Sequence, residues 1–224
     1  MRNNHFILLV LAFFITSYTF SQATFSISTD LAALRSFKKE QQFWSVGQTI
    51  RCDFHLTARQ GAYIWYAYTA PGKFSNDLIA TANSSTGNPS QINFTNHAAL
   101  SFKHLSIGWR QYLKGTYHAE EGWNLYCTAG FGLVGGRITN SFSSIIDTSL
   151  YTMPAQPVAG DGKFKRLTLD LGLGYEVPLG GSIYVYGEGR AWIPTSDYPS
   201  KYLLVSNHAP LSGTLNLGIR ILFD

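Results

Sequence analysis

Two short stretches hold residues whose types and spacing could do chemistry. In "HLS", His104 and Ser106 stand two positions apart, so on a β-strand both side chains point to the same face. A histidine beside a serine is what general-base activation of a serine nucleophile requires. The second stretch, "GFGLVG" from Gly130 to Gly135, has the glycine spacing of a dinucleotide-binding loop.

Ionisable side chains could also do chemistry, but the chain has few of them. Charged residues make up 13% of the chain, against about 25% in ordinary globular proteins. The net charge of +4 is spread along the sequence, without the basic stripe that nucleic-acid binding needs. No nucleic-acid partner is therefore expected. No cofactor is expected either.

Eight segments show the alternation of β-strands, and no amphipathic helix of useful length lies between them. They span residues 24–36, 43–57, 62–70, 98–112, 123–138, 167–179, 182–194 and 211–223. The alternation is clearest in the sixth segment, where the leucines from Leu167 to Leu173 oppose Thr168, Asp170 and Gly172. The third segment is rich in Tyr and Trp, and its two faces cannot be told apart from the sequence.

The connections between these segments alternate in length. Those after the second, fourth and sixth segments are short, whereas the others are mostly longer, the longest being Pro71 to Asn96 and Asn140 to Lys165. Short periplasmic turns on one side and long external loops on the other are typical of a transmembrane β-barrel. The predicted fold is therefore all-β, an eight-stranded antiparallel up-and-down barrel with both ends of the chain on the short-turn side.

A soluble eight-stranded ligand binder of the calycin type would show the same alternation with its faces reversed. The polar face argues against it, because single charges among Gly, Ser and Thr suit a crowded interior better than a surface in water. Aromatic residues near the segment ends predict two belts at the membrane interfaces. They are Phe43, Trp44, Tyr63, Trp65, Trp109, Tyr112, Trp123, Tyr126, Tyr175 and Trp192.

With the polar face inward, the interior holds His55 and a predicted network of five acids and four arginines. The network residues are Asp30, Arg51, Asp53, Arg110, Asp170, Glu176, Glu188, Arg190 and Arg220. Side chains just fill the lumen of an eight-stranded barrel, and unpaired buried charge is costly. The near balance predicts paired charges that plug the lumen, with a narrow proton or ion path as the alternative.

The N-terminus predicts a signal peptide over residues 1–21, with Arg2 ahead of an apolar run and small residues before a cut at Gln22. Residues 22–224 are then the barrel domain, exported to the bacterial outer membrane. Cys52 and Cys127 are predicted to face outward on strands that are not neighbours, too far apart to form a disulfide.

The last segment carries the most specific local motif. Asn216, Gly218, Ile221 and Phe223 resemble the terminal pattern that the barrel-assembly machinery reads, although Asp224 follows the aromatic residue that is commonly final. Together with the strand count and the loop alternation, the chain is similar to small outer-membrane barrels of the OmpA/OmpX type over nearly its whole mature length. This resemblance implies architecture and location, and only loosely a function.

A barrel explains both "GFGLVG" and "HLS" as structural features. A dinucleotide site needs a helix that begins at the glycines, and the following "GRITNSFSS" offers none, so the glycines are predicted to make room for Tyr184 or Arg190. A His and a Ser on a barrel wall resemble outer-membrane lipid A deacylases. However, His104 and Ser106 are expected to face inward, away from acyl chains, so catalysis is not expected.

The expected role is envelope-structural or surface-interacting, through the external loops. The expected partners are outer-membrane lipids or lipopolysaccharide, the barrel-assembly machinery and a surface protein. Basic loop residues suited to lipopolysaccharide phosphates are Lys73, Lys163, Lys165, Arg166 and Lys201, although a solvated surface of mixed charge explains them as well. The alternatives are a narrow pore or transporter, a lipid A-modifying enzyme and a soluble ligand binder.

Overall fold

The computed structural model describes residues 24–84, 87–195, 200–203 and 211–223. The predicted signal peptide, residues 1–21, and Asp224 lie outside the described residues. The strands are β1 (Phe25–Ser36), β2 (Phe43–Thr57), β3 (Gln60–Thr69), β4 (Gly72–Ala82), β5 (Gln91–Lys114), β6 (Asn124–Phe142), β7 (Tyr151–Thr152), β8 (Gly160–Gly180), β9 (Ile183–Pro194) and β10 (Ser212–Phe223). Within these ranges no helix is long and apolar enough to cross a membrane.

Eight of these strands close into a ring by antiparallel pairing. The order around the ring is β1, β2, β3, β5, β6, β8, β9 and β10. The ring closes because β10 pairs with β1 along its length, from Phe25 opposite Phe223 to Ser36 opposite Ser212. Closure leaves the eight-stranded ring without an edge strand, and it confirms the predicted eight-stranded barrel.

β4 and β7 fall within segments that were predicted to be long loops, and the loop prediction is wrong there. β4 pairs with the first half of β5, from Gly72 opposite Leu100 to Thr81 opposite Gln91. β5 therefore begins earlier than predicted. Its pairing with β6 and that of β6 with β8 also continue beyond the predicted ends. In β4, GKFSNDLIATA, the inward Asn76 and the outward Ile79 interrupt the alternation, so pairing with β5 identifies this strand more clearly than its own pattern.

The two ends of the barrel differ, and we call them the short-turn end and the long-loop end. At the short-turn end, two residues separate β2 from β3 and two separate β8 from β9. At the long-loop end lie the 3-10 turn Lys39–Gln41, the hairpin of β4 and β5, and the segment that contains β7. The N-terminus of β1 and the C-terminus of β10 meet at the short-turn end, as predicted.

The outside of the barrel wall is apolar and the charged residues of the strands lie inside, the reverse of a protein folded in water. Leu31 is 75% exposed and Phe131 is 68% exposed, whereas Arg51 and Glu176 are at most 1% exposed. Outward apolar side chains encircle the barrel, and we call them the apolar belt. This distribution excludes the calycin-like alternative, whose charged residues would face water.

The structure also resolves the third strand and corrects the aromatic belts. In β3, Tyr63 and Trp65 point inward, while Tyr66 and Tyr68 point outward. Of the ten aromatic residues predicted for the belts, four face outward: Trp44, Trp109, Trp123 and Tyr175. The other six lie inside the barrel, since large rings are needed to fill its lumen: Phe43, Tyr63, Trp65, Tyr112, Tyr126 and Trp192. Cys52 and Cys127 are free, on outward positions, as predicted.

Candidate functional site

Glu188 is the first of two carboxylates that gather arginines inside the barrel. Its side chain accepts a hydrogen bond from Arg51 across the lumen, and Arg190 Nε donates to its Oε1 at 2.9 Å. The hydroxyl of Tyr126 donates to its Oε2, also at 2.9 Å. Two cations and a phenol therefore satisfy one buried carboxylate.

Glu176 is the second carboxylate, and it lies closer to the short-turn end. Arg220 donates to both of its oxygens, with Nε 2.8 Å from Oε2 and Nη2 2.7 Å from Oε1. Arg110 Nη2 donates to Oε2 at 2.9 Å. Asn124 and Tyr112 complete the shell around Oε1, at 3.0 and 3.3 Å. A bidentate pair with three further donors holds this carboxylate firmly.

Asp53 joins the two centres. Its Oδ2 lies 3.1 Å from both Arg51 Nε and Arg110 Nη1. The result is a continuous arginine–carboxylate chain across the lumen, which runs Arg190, Glu188, Arg51, Asp53, Arg110, Glu176 and Arg220. Because four arginines alternate with three carboxylates, every member of the chain has an opposite charge beside it.

Aromatic rings occupy the space around the guanidinium groups. Arg110 lies 3.7 Å from the ring centroid of Tyr126, and Arg220 lies 3.9 Å from that of Tyr184. Such contacts stabilise a desolvated cation. The prediction omitted Tyr126, Tyr112 and Asn124, although each shares the inward parity of its strand.

The other predicted interior residues are buried but form separate groups, so the expectation of one network is wrong. Asp30 accepts hydrogen bonds from Tyr186 at 2.6 Å and Asn216 at 3.0 Å, with no arginine among them. Asp170 lies 3.2 Å from His104 and accepts a bond from Thr168. Barrel geometry separates these acids from the arginines, which parity alone does not reveal.

His104 and Ser106 both point into the barrel and are at most 1% exposed. The imidazole of His104 packs edge-on against Trp65 and Trp192, with centroid separations of 5.2 and 4.6 Å. The hydroxyl of Ser106 has no hydrogen-bond partner among the described residues. The geometry gives an acyl chain no access to this pair, so it does not support deacylation.

Above the arginine–carboxylate chain, toward the long-loop end, large apolar side chains fill the lumen. We call this cluster the aromatic plug, and its members are Leu34, Phe43, Tyr63, Trp65, Ala67, Leu100, Phe102, Val134, Ile138, Trp192 and Leu203. A gap of ≈20 Å³ beside Phe102, Thr168 and Trp192 has room for about one water. Parity assigns these side chains to the inward face, but a cluster of apolar side chains there was not predicted because the inward face was expected to be polar.

Inward glycines leave the space that the large side chains in the lumen occupy. A Cβ at Gly130 would overlap the hydroxyl of Tyr63, and one at Gly174 would overlap the ring of Tyr126. Gly130 and Gly132 of "GFGLVG" therefore do make room inside the barrel, but for Tyr63 and His104 rather than for Tyr184 or Arg190, whereas Gly135 faces outward. The described residues contain no group of three His, Cys, Asp or Glu side chains placed to hold a metal ion.

The four residues of the terminal motif divide between the two faces of β10. Asn216 points inward to Asp30, and Gly218 lies against the backbone of Thr29. Ile221 and Phe223 point outward, and Phe223 stacks on Phe25 with a centroid distance of 5.0 Å. Recognition of this motif by the assembly machinery stays a prediction.

A closed eight-stranded barrel, an apolar belt and a lumen filled by side chains define a small outer-membrane β-barrel. The fold and the belt together place the protein in the outer membrane. Because such barrels have short periplasmic turns, the long-loop end is expected to face out of the cell.

Comparison with solved structures supports this fold. Neisserial surface protein A is similar, with a TM-score of 0.55 at 11% identity over 90% of this chain and 100% of that one. A major outer membrane protein from Thermus thermophilus gives 0.53 at 9% identity, over 91% and 100%. Ail, the attachment invasion locus protein of Yersinia pestis, gives 0.50 at 13% identity, again over 91% and 100%. No family model matches the sequence, and no curated protein matches it significantly.

Proposed function

We propose that the protein is a sealed, non-enzymatic outer-membrane barrel that supports the cell envelope and presents an ordered surface to the outside. The observation that carries this proposal is the continuous filling of the lumen. The arginine–carboxylate chain crosses the half near the short-turn end, and the aromatic plug fills the half near the long-loop end. A solute would have to break several buried ion pairs to pass.

The sealed lumen predicts that the purified protein forms no large, stable conductance in a planar lipid bilayer. Current would be recorded after reconstitution at stepped voltages, with a general porin as the positive control. Samples would first be checked for the heat-dependent gel shift of a folded barrel. Discrete steps of porin size from folded protein would contradict the proposal and favour a pore.

The surface role is supported by the order of the extension beyond the barrel. Asn83 Nδ2 donates to the carbonyl of Ser149 at 3.0 Å, and the hydroxyl of Tyr151 donates to that of Pro89 at 3.1 Å. These hydrogen bonds join the β4–β5 hairpin to the segment between β6 and β8. The same fold also occurs in a protein named for attachment and in one named as a surface protein.

Shortening the β4–β5 hairpin tests this surface role. Replacing residues 80–92 by an Asn-Gly turn, which joins the register partners Ile79 and Asn93, is expected to reduce attachment of expressing cells to surfaces or to other cells, to the level of a strain without the protein. Deletion of 118–121, at the short-turn end, serves as the control because that turn faces the periplasm. Full attachment by the shortened hairpin, with the barrel folded, would leave an envelope-structural role alone.

A further inference from the structure

Four cations lie together on the outward face of the barrel, just beyond the apolar belt at the long-loop end. The strand register places Lys103 of β5 and Lys165 of β8 on either side of Gly135 of β6. One step further out, Arg137 stands opposite Lys163. All four side chains are exposed. We call these cations the basic row.

Gly135 makes the centre of the basic row concave. A Cβ there would meet no atom closer than the Lys103 carbonyl oxygen, at 3.8 Å, so the space above the glycine is open. The resulting groove has a volume of ≈690 Å³ and is bordered by Tyr68, Lys103 and Lys165. The two lysines sit two strand spacings apart, roughly 10 Å between Cα atoms, and both can reach one ligand in the groove.

Directly below the basic row, the apolar belt begins without a polar transition. Register pairs Tyr66 with Leu105, Leu105 with Leu133, and Leu133 with Leu167. All four face outward and are exposed, by 41 to 60%. Successive outward positions on a strand are roughly 7 Å apart, so the cations and the leucines touch the same molecule if it is a lipid.

Little on this face neutralises the basic row. Asp161 lies 3.3 Å from Arg137 and accepts a hydrogen bond from Thr139 at 2.5 Å, so it is already engaged. Lys103 and Lys165 form no ion pair with any residue that the structure describes. Two cations at a membrane surface without acidic partners are complementary to an anionic headgroup.

We propose that this surface binds a phosphorylated, acylated lipid of the outer leaflet. Lys103 and Lys165 contact its phosphate across the groove, and its acyl chains lie on Tyr66, Leu105, Leu133 and Leu167. A free phosphate would not need the leucines, and a soluble protein partner would not meet a surface that continues into the bilayer. The proposal rests on the membrane orientation given above but not on the sealed lumen.

Native mass spectrometry of the full barrel in detergent tests the proposal. The probes are bisphosphorylated lipid A, the same lipid after phosphate removal, and inorganic phosphate. The variant K103Q/K165Q is compared with K38Q/K39Q, which removes two lysines beside the 3-10 turn at the same end of the barrel, outside the groove. We expect the lipid affinity of K103Q/K165Q to fall about thirtyfold, since each lysine near a membrane surface contributes about fivefold.

The control variant is expected to bind within about twofold of the wild type, and the dephosphorylated lipid is expected to bind far more weakly than lipid A. Equal affinity of K103Q/K165Q and wild type would overturn the proposal, as would equal binding of the two lipids. Competition by inorganic phosphate at lipid-like concentrations would also overturn it, by showing an ion site. None of these results depends on conductance, so a barrel that conducts could still hold the lipid.

Discussion

Replacing Glu176 with glutamine is expected to lower the free energy of unfolding by about 3–5 kcal/mol, the loss typical of removing one partner from a buried ion pair. The substitution keeps the side-chain volume, so the loss reports charge rather than a cavity. Arg110 and Arg220 would stay in the lumen without the carboxylate that both now contact. The measurement is the urea dependence of the folded, heat-modifiable band after refolding into lipid vesicles.

The matched control for this variant is Asp161→Asn. Asp161 is also paired with an arginine, but that pair lies on the outside of the barrel and both side chains are more than half exposed. Exposed pairs contribute little because water and salt screen them. We expect the unfolding midpoint of the control to match the wild type. A similar midpoint for both variants would mean that the arginine–carboxylate chain does not stabilise the barrel.

The second large effect is expected from Gly174→Val, which should cost about 1–3 kcal/mol or more because it overpacks a filled interior. The new methyl groups would occupy the position of the Tyr126 ring. That ring cannot move aside easily, since its hydroxyl is bonded to Glu188 and its face lies against Arg110. We expect a strongly reduced yield of the heat-modifiable form, measured by gel mobility with and without boiling.

Gly187→Val is the control for this substitution. Gly187 faces outward on β9, and a Cβ there would meet no atom closer than 3.9 Å. A branched side chain on a strand facing lipid has no steric cost, so the folded yield should equal or exceed that of the wild type. Equal yields of the two variants would show that the inward glycines are not packing sites.

The ring strands could be predicted because apolar lipid-facing residues alternate with polar lumen-facing residues along each strand of a membrane barrel. In β8, leucines alternate with Thr168, Asp170 and Gly172, so parity gave both the strand and its orientation. β4 was not predicted because Asn76 on its inward face and Ile79 on its outward face interrupt the alternation, and its pairing with β5 stabilises the strand. β3 was predicted as a strand, but its inward face could not be identified because aromatic residues occur on both of its faces.

Inward orientation was predictable for all nine network residues, but their partners were not. Parity says that Asp30 and Arg51 face the lumen, yet which side chains meet depends on the stagger of the strands around the ring. That stagger brings Arg51 to Glu188, a distance of 137 residues along the chain, and leaves Asp30 with Tyr186 and Asn216. Contacts between side chains so far apart along the chain cannot be predicted from the local sequence.

β10 both closes the ring of strands and supplies hydrogen-bond donors to two buried acids. It covers the free edge of β1, and it delivers Arg220 to Glu176 and Asn216 to Asp30. A chain that lacks β10 would combine an open edge with acids short of their donors. We therefore expect such a chain to be less stable than the closed barrel and to pair through its open edge with other chains.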